Sequence, residues 1–364
     1  MEERIMEIRI GKHVIGTDHP TYFIADIAAN HDGDLERAKK LIRLAKEAGA
    51  DAAKFQNFQA PKIVSDYGFR SMGGQVSHQA KWKKSVFEVY KDASVPFDWT
   101  PQLKAVCDEV GIDYFSSPYD FESVDYLDPF VPAYKIGSGD INWPEALEYM
   151  ARKGKPVLLA TGASDIGDVQ RAVHTLLAVN PQLILMQCNT NYTASLENFD
   201  HLHLRVLTTF HSMYPDLILG LSDHTPGHAS VLGAVALGAR VIEKHFTDDN
   251  LRDGPDHAFA MNPASWEDMV KNTRQLERAL GSGDKFIAEN EKQTIYLQRR
   301  CVRAAGDLKA GEVLTREKLD VLRPVASGAI LPYEIDAVVG TRVLINIPAG
   351  KEIRWTDLGS EETV

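Results

Sequence analysis

Two histidines follow the ends of two apolar stretches that are near neighbours in the sequence, GLSDHT and VIEKHF. Side chains alternate along a strand, so Ser222 would share a face with His224, and Glu243 with His245. If the stretches are adjacent parallel strands, both imidazoles meet at the carboxyl ends, where metals and active sites of parallel α/β folds are found. His224 and His245 are therefore candidate metal ligands. The alternative is a pair of hydrogen-bonded structural histidines.

Two lysines occupy predicted strands whose inner faces point into the same protein interior. Lys54 lies in DAAKFQ and Lys135 in AYKIG. A buried ammonium without a partner is strongly disfavoured, so each lysine needs either a structural carboxylate or a bound anion. Ser117 and Ser138, the latter in a glycine-rich turn, supply hydroxyl and backbone N–H groups suited to a phosphate or carboxylate. These residues together predict an anion site opposite the two histidines.

The elements that must position these groups alternate regularly between strand and helix. Eight such strands, each followed by a helix over roughly 250 residues, are typical of a TIM (β/α)8 barrel. A doubly wound open sheet is the alternative, but no GxGxxG motif follows the first strand. The predicted strands span residues 21–27, 51–56, 113–117, 133–137, 156–161, 183–188, 217–222 and 240–246.

The remaining segments suggest how the rest of the chain is arranged. Residues 8–16 predict a small hairpin or a cover for the bottom of the barrel. Residues 57–96, with Gly73, Gly74, His78 and Trp82, predict a mobile loop over its mouth. We expect a catalytic TIM barrel in residues 1–280, a linker in 281–296 and a small β-rich domain in 297–364. In the last, KAGEVLTREKL and PAGKEIRWTDL form a weak repeat.

Composition limits the classes of partner and compartment. A net charge of −11 argues against nucleic acid or an anionic membrane as a partner. Three widely spaced cysteines suggest a reduced, cytoplasmic protein without a disulfide framework. No apolar run reaches the length that spans a bilayer.

Longer motifs carry a family resemblance. FIADIAANHDGDLERAKKLIRLAKEAGADAAKFQ, YKIGSGD, GLSDHT, IEKHFT, GPDHAFAMNP and AGEVLTREKLDVLRP resemble the sialic acid (N-acetylneuraminate) synthase family. These nonulosonic acid synthases combine a TIM barrel with an antifreeze-like (SAF, β-clip) domain. The resemblance covers nearly the whole chain. It implies a metal-dependent transferase that condenses phosphoenolpyruvate with an N-acyl-mannosamine-type amino sugar, giving a nonulosonic acid and phosphate.

The resemblance also implies roles for individual residues. Phosphoenolpyruvate would be bound by Lys54, Ser117, Lys135, Ser138 and Ser222. Mn²⁺ or Mg²⁺ would be held by His224 and His245. The sugar would be contacted by Gln56, Asp140, Tyr192, Asp256 and Arg323. Candidates for handling the attacking water are Asp26, Glu243 and Asp256. The family further implies a domain-swapped homodimer, in which Arg323 of one subunit completes the sugar site of the other.

Several positions depart from the family pattern. Typical members have glutamate at positions 26 and 140, where this chain has the shorter aspartate, and serine where it has Ala160. Thr190 stands where asparagine is usual, and Leu297 where an aromatic residue is expected. We therefore expect a reshaped sugar pocket. Sialic, legionaminic or pseudaminic-type acids and a spore-coat polysaccharide precursor all remain open as products.

Three other functions compete with this hypothesis. An eight- or seven-carbon ulosonic acid synthase would need additional Arg or Lys for a second phosphate, and the inward positions show no such surplus. A catalytically inactive, sugar-binding barrel is disfavoured because both histidines and both lysines are present. Ice binding, suggested by the antifreeze-like domain, is disfavoured by its fusion to a barrel that retains the motifs.

Overall fold

The computed structural model describes residues 7–72, 79 and 82–359. The chain divides into two compact units, residues 1–281 and 282–364. Gly73, Gly74 and His78, named above, lie outside the described residues. Within the described part of the chain, no helix is both long and apolar enough to cross a membrane.

A short hairpin precedes the first unit's main sheet, as residues 8–16 predicted. Its strands are β1 (Ile8–Ile10) and β2 (His13–Ile15), paired antiparallel. Ile8, Ile10 and Ile15 are buried in one apolar cluster with inward side chains from the amino-terminal halves of the barrel strands. The hairpin therefore closes the bottom of the barrel, the end opposite the predicted site.

The main sheet of the first unit has eight strands, all parallel. The two end strands of the hydrogen-bonded order follow each other in the sequence and contact one another. The sheet therefore closes into the TIM barrel predicted from the sequence. The strands are β3 (Tyr22–Asp26), β4 (Ala52–Asn57), β5 (Asp113–Pro118), β6 (Tyr134–Ile136), β7 (Val157–Ala160), β8 (Leu183–Cys188), β9 (Ile218–Asp223) and β10 (Ala239–His245).

Helices follow every strand and bury their apolar faces against the outside of the sheet. In the first of them, Ala38, Leu41, Ile42 and Ala45 form the buried apolar stripe of an amphipathic helix. The helices are α1 (Leu35–Glu47), α2 (Ala60–Ile63), α3 (Asp66–Ser71), α4 (Val86–Ala93), α5 (Thr100–Val110), α6 (Phe121–Leu127), α7 (Pro144–Ala151), α8 (Ile166–Leu177), α9 (Asn198–His201), α10 (Val206–Met213), α11 (Ala229–Ala236) and α12 (Pro263–Leu280).

The segment between β4 and α5 differs from the loop that we predicted. It contains the three short helices α2, α3 and α4. Local capping explains them, because Ser65 caps α3 and Ser85 forms a reciprocal capping box with Glu88 at the start of α4. Trp82, which we assigned to the loop, lies in the described part and lines the cleft described below.

The second unit is built from short strands and turns around its own small core, as predicted for the C-terminal domain. Its strands β11 (Cys301–Ala304) and β12 (Leu319–Leu322) pair antiparallel, as do β13 (Arg342–Val343) and β14 (Leu358–Gly359). Val302, Leu314 and Ile353 belong to its apolar cluster. The helices of this unit are short: α13 is Thr294–Gln298 and α14 is Ile335–Val338.

Close packing inside the barrel gives a stability prediction at Gly220. A Cβ atom there would meet the Val241 carbonyl oxygen at 2.8 Å and Met186 Cγ at 2.9 Å. The Gly220→Ala variant is expected to lose about 1–3 kcal/mol of unfolding free energy, because the strand or its neighbour must move. Urea unfolding measures this loss. Gly283→Ala, where the Cβ meets no atom within 4 Å, is the control and should change stability by less than about 0.5 kcal/mol.

Candidate active site at the barrel mouth

Polar side chains from four neighbouring strands meet at the carboxyl end of the barrel. The ladder places Asp26 beside Lys54 and His245, and Ser222 beside Glu243. Each of these side chains is buried. The strand alternation that the sequence predicted therefore brings the candidate residues together on the inner face of the sheet.

Both predicted lysines form ion pairs with carboxylates in this cluster. Lys54 Nζ lies 2.6 Å from Asp26 Oδ2 and 3.9 Å from Glu243 Oε2. Lys135 Nζ donates to Glu243 Oε1 at 2.8 Å, and Ser222 Oγ donates to the same oxygen at 3.1 Å. Two ammonium groups thus face two carboxylates, so the structural pairing that we kept as an alternative is present. An added anion is not required to neutralise the lysines.

Burial and pairing set the protonation of these groups. Burial alone would raise the pKa of Glu243, but the Lys135 and Lys54 ammonium groups outweigh it and lower that pKa to about 2. Burial alone would lower the pKa of Lys54, but the Asp26 and Glu243 carboxylates outweigh it and raise that pKa. Burial raises the pKa of Asp26, although Lys54 opposes the shift. At neutral pH, Glu243 and Lys54 are therefore charged.

A third carboxylate, Asp256, lies beside the second histidine. Its Oδ2 atom accepts a hydrogen bond from the Ala29 amide at 3.3 Å and lies 3.8 Å from His245 Nδ1. Burial, with a further contribution from the Asp26 carboxylate, raises the pKa of Asp256 to about 6. Asp256 therefore joins the cluster from the loop that follows β10.

The two histidines are close neighbours, as predicted. The ring centroids of His224 and His245 are 5.3 Å apart. His224 Nδ1 is 2.9 Å from the Asn189 carbonyl oxygen, a contact that makes this nitrogen a donor. Burial alone would lower the pKa of His224, but its hydrogen bond with Cys188 outweighs burial and raises that pKa. His245 Nδ1 is buried without a hydrogen-bond partner among the described residues. Burial holds the pKa of His245 well below its usual value, so its imidazole is neutral.

These features fit a divalent cation with few protein ligands. An unpartnered nitrogen on a neutral imidazole, next to a second imidazole, is a donor set for a transition ion. Among the described residues, no group of three or more His, Cys, Asp and Glu side chains is arranged to hold an ion.

Ser138 and Ser117, assigned to the anion site, differ in their surroundings. Ser138 Oγ accepts a hydrogen bond from the Gly162 amide at 2.9 Å. A Cβ on Gly162 would lie 2.9 Å from Ser138 Oγ and 3.1 Å from Cys188 Sγ, so this corner of the mouth is tightly packed. Ser117 is buried and lies opposite Gln56 in the β4–β5 ladder.

A pocket of about 140 Å³ opens beside this cluster. Its lining includes four predicted site residues, Gln56, Tyr192, His245 and Asp256. The remaining lining residues are mostly apolar or aromatic: Ala29, Phe58, Ile63, Trp82, Val89, Tyr90, Ala93, Tyr119 and Pro255. The pocket leads into a wider cleft of about 860 Å³. The two share the lining residues Ala29, Trp82, Val89, Ala93, Tyr192 and Pro255. The further lining residues of the cleft are mostly polar or small: Asp32, Gly33, Lys83, Lys84, Asp92, Thr193, Asp253, Gly254 and Ala258.

Tyr90 and Tyr119 are pocket residues that the sequence analysis missed. Both pack on Phe58, with ring centroids 5.5 and 5.7 Å away. Burial raises the pKa of each phenol, so both hydroxyls stay protonated and can donate hydrogen bonds. Tyr119 could have been found as the first residue after β5, but Tyr90 lies on α4, where we predicted a loop.

Two of the predicted sugar-binding residues, Asp140 and Arg323, are not among the residues that line this pocket. Asp140 lies in a 3-10 turn after β6, and burial raises its pKa to about 6. This turn lies beside the pocket wall, because a Cβ on its first flanking residue, Gly137, would lie 3.4 Å from the Tyr119 hydroxyl. Arg323 belongs to the second unit, where it is exposed and its Nε donates to the Gln298 carbonyl at 2.5 Å.

Comparisons with known proteins agree on one family. Residues 41–285 match the model of the NeuB family, and residues 299–359 match the SAF domain. The chain is 34% identical over 93% of its length to N,N'-diacetyllegionaminic acid synthase from Legionella pneumophila, 95% of which is covered. It is 32% identical over 92% of its length to human N-acetylneuraminate-9-phosphate synthase, 91% of which is covered.

Solved structures give the same result. The crystal structure of the spore coat polysaccharide biosynthesis protein SpsE from Bacillus subtilis aligns with a TM-score of 0.64 and 30% identity. The alignment covers 98% of this chain and all of that one. The chain therefore belongs to the NeuB family of sugar acid synthases, with a TIM barrel followed by a SAF domain.

Proposed function

We propose that this protein condenses phosphoenolpyruvate with an N-acyl-mannosamine-type amino sugar. The products are phosphate and a nonulosonic acid of the sialic, legionaminic or pseudaminic type. The observation that carries the proposal is the meeting of Lys54, Lys135, His224, His245 and Asp256 at one barrel mouth. The named activities of relatives across the whole chain support the same reaction class.

Phosphoenolpyruvate is assigned to the lysine side of the mouth. Its phosphate and carboxylate would share the ammonium groups of Lys54 and Lys135 with Asp26 and Glu243, in charge-assisted hydrogen bonds. Neutral hydroxyl donors complete the anion site without adding repulsion. In this proposal those donors are Ser117, Ser138 and Ser222.

A divalent cation, Mn²⁺ or Mg²⁺, is assigned to His224 and His245. When bound there, it would polarise the aldehyde of the open-chain sugar as a Lewis acid. Imidazole ligands suit transition ions better than Mg²⁺, which prefers oxygen, so we expect Mn²⁺ to support the higher activity.

The protein's carboxylates would serve the carbon chemistry. The methylene carbon of phosphoenolpyruvate attacks the aldehyde carbon. The new C–C bond forms as the aldehyde C=O π bond opens, the aldehyde oxygen takes up a proton to become a hydroxyl, and positive charge is left on C2. Asp26 and Glu243 stabilise that charge through their negative charges in a buried site. A water molecule, oriented by Asp26, Glu243 or Asp256, bonds to C2 and gives its proton to a carboxylate. The C2–O bond then breaks, and phosphate leaves with all its oxygens.

The sugar is assigned to the pocket lined by Gln56, Tyr192 and Asp256, with Asp140 near its wall. Its lining combines apolar and aromatic side chains, which suit acetamido methyl groups, with polar groups such as Gln56, Tyr192 and Asp256, which suit sugar hydroxyls. The shorter Asp140, where the family has glutamate, leaves additional room in that wall. The sequence departures therefore act on the choice of sugar and leave the reaction class unchanged.

We further propose a cytoplasmic homodimer in which the SAF domain of each subunit covers the partner's barrel, with Arg323 reaching its sugar site. The second unit exposes large apolar side chains such as Tyr333, Leu344 and Trp355, and exposed apolar patches are typical of interaction surfaces. The free, buried cysteines Cys107 and Cys188 suit a reducing compartment.

Removing either ammonium group tests the anion site. Lys54→Met and Lys135→Met are each expected to lower kcat/KM for phosphoenolpyruvate by an amount equivalent to roughly 2–5 kcal/mol of binding free energy. The effect on kcat/KM for the sugar should be smaller. Steady-state kinetics with each substrate varied in turn measures the two effects. Lys153→Met, which removes a lysine from a surface pair with Asp125, is the control and should leave both unchanged. Equal losses for both substrates would show that the lysines are purely structural.

The proposal is tested with a panel of acceptors. The purified protein, Mn²⁺ and phosphoenolpyruvate are incubated with N-acetylmannosamine, its 6-phosphate, 2,4-diacetamido-2,4,6-trideoxymannose or a five-carbon sugar phosphate. The products are identified by mass spectrometry. The proposal expects a product with the mass of acceptor plus pyruvic acid from at least one acceptor. Turnover confined to a five-carbon sugar phosphate would instead support the eight-carbon ulosonic acid alternative.

A further inference from the structure

A buried ion pair lies directly behind the two histidines. In the β9–β10 ladder, Asp223 is the neighbour of Lys244, one residue beyond the inward-facing pair Ser222 and Glu243. Because side chains alternate, Asp223 and Lys244 point away from the barrel interior. Both are 1% exposed, and Lys244 Nζ lies 2.5 Å from Asp223 Oδ2.

The same pair also holds the loop that carries His224. Lys244 Nζ donates to the Thr225 carbonyl oxygen at 2.6 Å. Asp223 Oδ1 accepts from the Thr225 amide at 2.9 Å, and its Oδ2 accepts from Ser230 Oγ at 2.5 Å. Ser230 belongs to the first turn of α11. The residue before His224, the residue after it and the residue before His245 are therefore joined in one network.

Stability alone does not explain such a pair. Taking two charges out of water costs free energy that their attraction often only offsets, and apolar replacements of buried pairs are frequently neutral or stabilising. What apolar side chains cannot provide is a directional link between two strand ends. Asp223 and Lys244 provide that link at the two positions adjacent to His224 and His245.

We propose that Asp223 and Lys244 are positioning residues that fix the spacing of the two imidazoles and thereby set the affinity of the site for a divalent cation. The inference rests on the proposed role of His224 and His245 as ligands. Neither Asp223 nor Lys244 faces the cleft, so phosphoenolpyruvate should bind independently of them once the cation is saturating.

The direct test measures Mn²⁺ affinity without turnover. Free Mn²⁺ is followed by electron paramagnetic resonance during titration of the wild-type protein, Lys244→Met, Lys244→Arg and the double variant Asp223→Leu/Lys244→Met. The inference expects Mn²⁺ to bind about 10- to 100-fold more weakly to Lys244→Met and to the double variant, as for other outer partners of metal ligands. Lys244→Arg should retain much of the affinity. The KM for phosphoenolpyruvate at saturating Mn²⁺ should change less than about twofold.

Two further variants separate positioning from folding. Tyr22→Phe removes a buried hydrogen bond to Asp113, 2.7 Å long and involving the first residue of β3, at the other end of the barrel. It should leave Mn²⁺ affinity unchanged. Ser230→Ala keeps both charges paired and removes one bond to Asp223, so it tests the network even where charge removal prevents folding. It should weaken Mn²⁺ binding about two- to tenfold.

The outcomes distinguish this inference from the function on which it rests. A wild-type protein that binds no Mn²⁺ would overturn the metal proposal and the inference together. If the wild-type protein binds Mn²⁺, and the folded double variant and Ser230→Ala bind it with the same affinity as the wild type, the inference alone is overturned. Weakened affinity in these variants, with an unchanged KM for phosphoenolpyruvate, would support it.

Discussion

His224→Ala and His245→Ala are each expected to lower turnover by more than about 100-fold while leaving the fold intact. Loss of one side chain that hydrogen-bonds to a metal ligand lowers metal affinity or activity about 10- to 100-fold. Loss of one of the two protein ligands themselves should lower activity further. The two rings are buried 5.3 Å apart, and His245 Nδ1 has no protein partner to lose among the described residues. The His245→Ala substitution should therefore lower the turnover rate strongly and change the free energy of unfolding only a little.

Phosphate release with added Mn²⁺, together with urea unfolding, measures both effects. Chelation by EDTA should abolish activity reversibly, and Mn²⁺ should restore it. His203→Ala, which alters a histidine that lines a separate cavity next to α10, is the matched control and should keep wild-type turnover. A demonstrably metal-free protein with full activity would defeat the metal assignment.

The second large effect concerns Arg323 and the proposed exchange of SAF domains. Arg323→Ala and His245→Ala should each be nearly inactive alone. In a heterodimer of the two variants, one site combines an intact barrel with an intact arginine, and the other site lacks both. A purified heterodimer is therefore expected to recover about half of the wild-type activity.

Differently tagged variants allow the heterodimer to be isolated by two affinity steps. Arg316→Ala is a control, because this arginine of the same unit bonds a backbone carbonyl near its own position, that of Leu319. It should remain active without complementation. An isolated heterodimer that stays inactive would show that Arg323 acts within its own subunit or has no part in the reaction.

The architecture could be predicted from the sequence because it depends on short periodic patterns. All eight barrel strands lie within one residue of the predicted bounds at either end. The alternation that defines a strand also predicted which side chains face inward, so Lys54, Glu243 and His245 meet as expected. Burial leaves a strand little freedom to shift its pairing register, and the register determines which residues face inward.

The rest of the site depends on contacts that no local pattern encodes. Which carboxylate pairs with Lys135 is decided by side chains 108 residues apart, and the answer is Glu243. Tyr90 reaches the pocket from a helix held by a capping box in a segment that we predicted to be a loop. The pairing of Asp223 with Lys244 becomes visible only when the β9–β10 register is known.

The central claim is that the barrel mouth joins phosphoenolpyruvate to a sugar aldehyde through carbon, with water added at C2. Incubation in ¹⁸O-labelled water with an accepted amino sugar tests it most directly, when mass spectrometry follows both products. The account predicts an acid with the combined mass of sugar and pyruvic acid in which the oxygen at C2 is ¹⁸O from the water, and phosphate free of ¹⁸O because the C2–O bond breaks. Release of pyruvate with unchanged sugar, or phosphate that carries ¹⁸O, would contradict it.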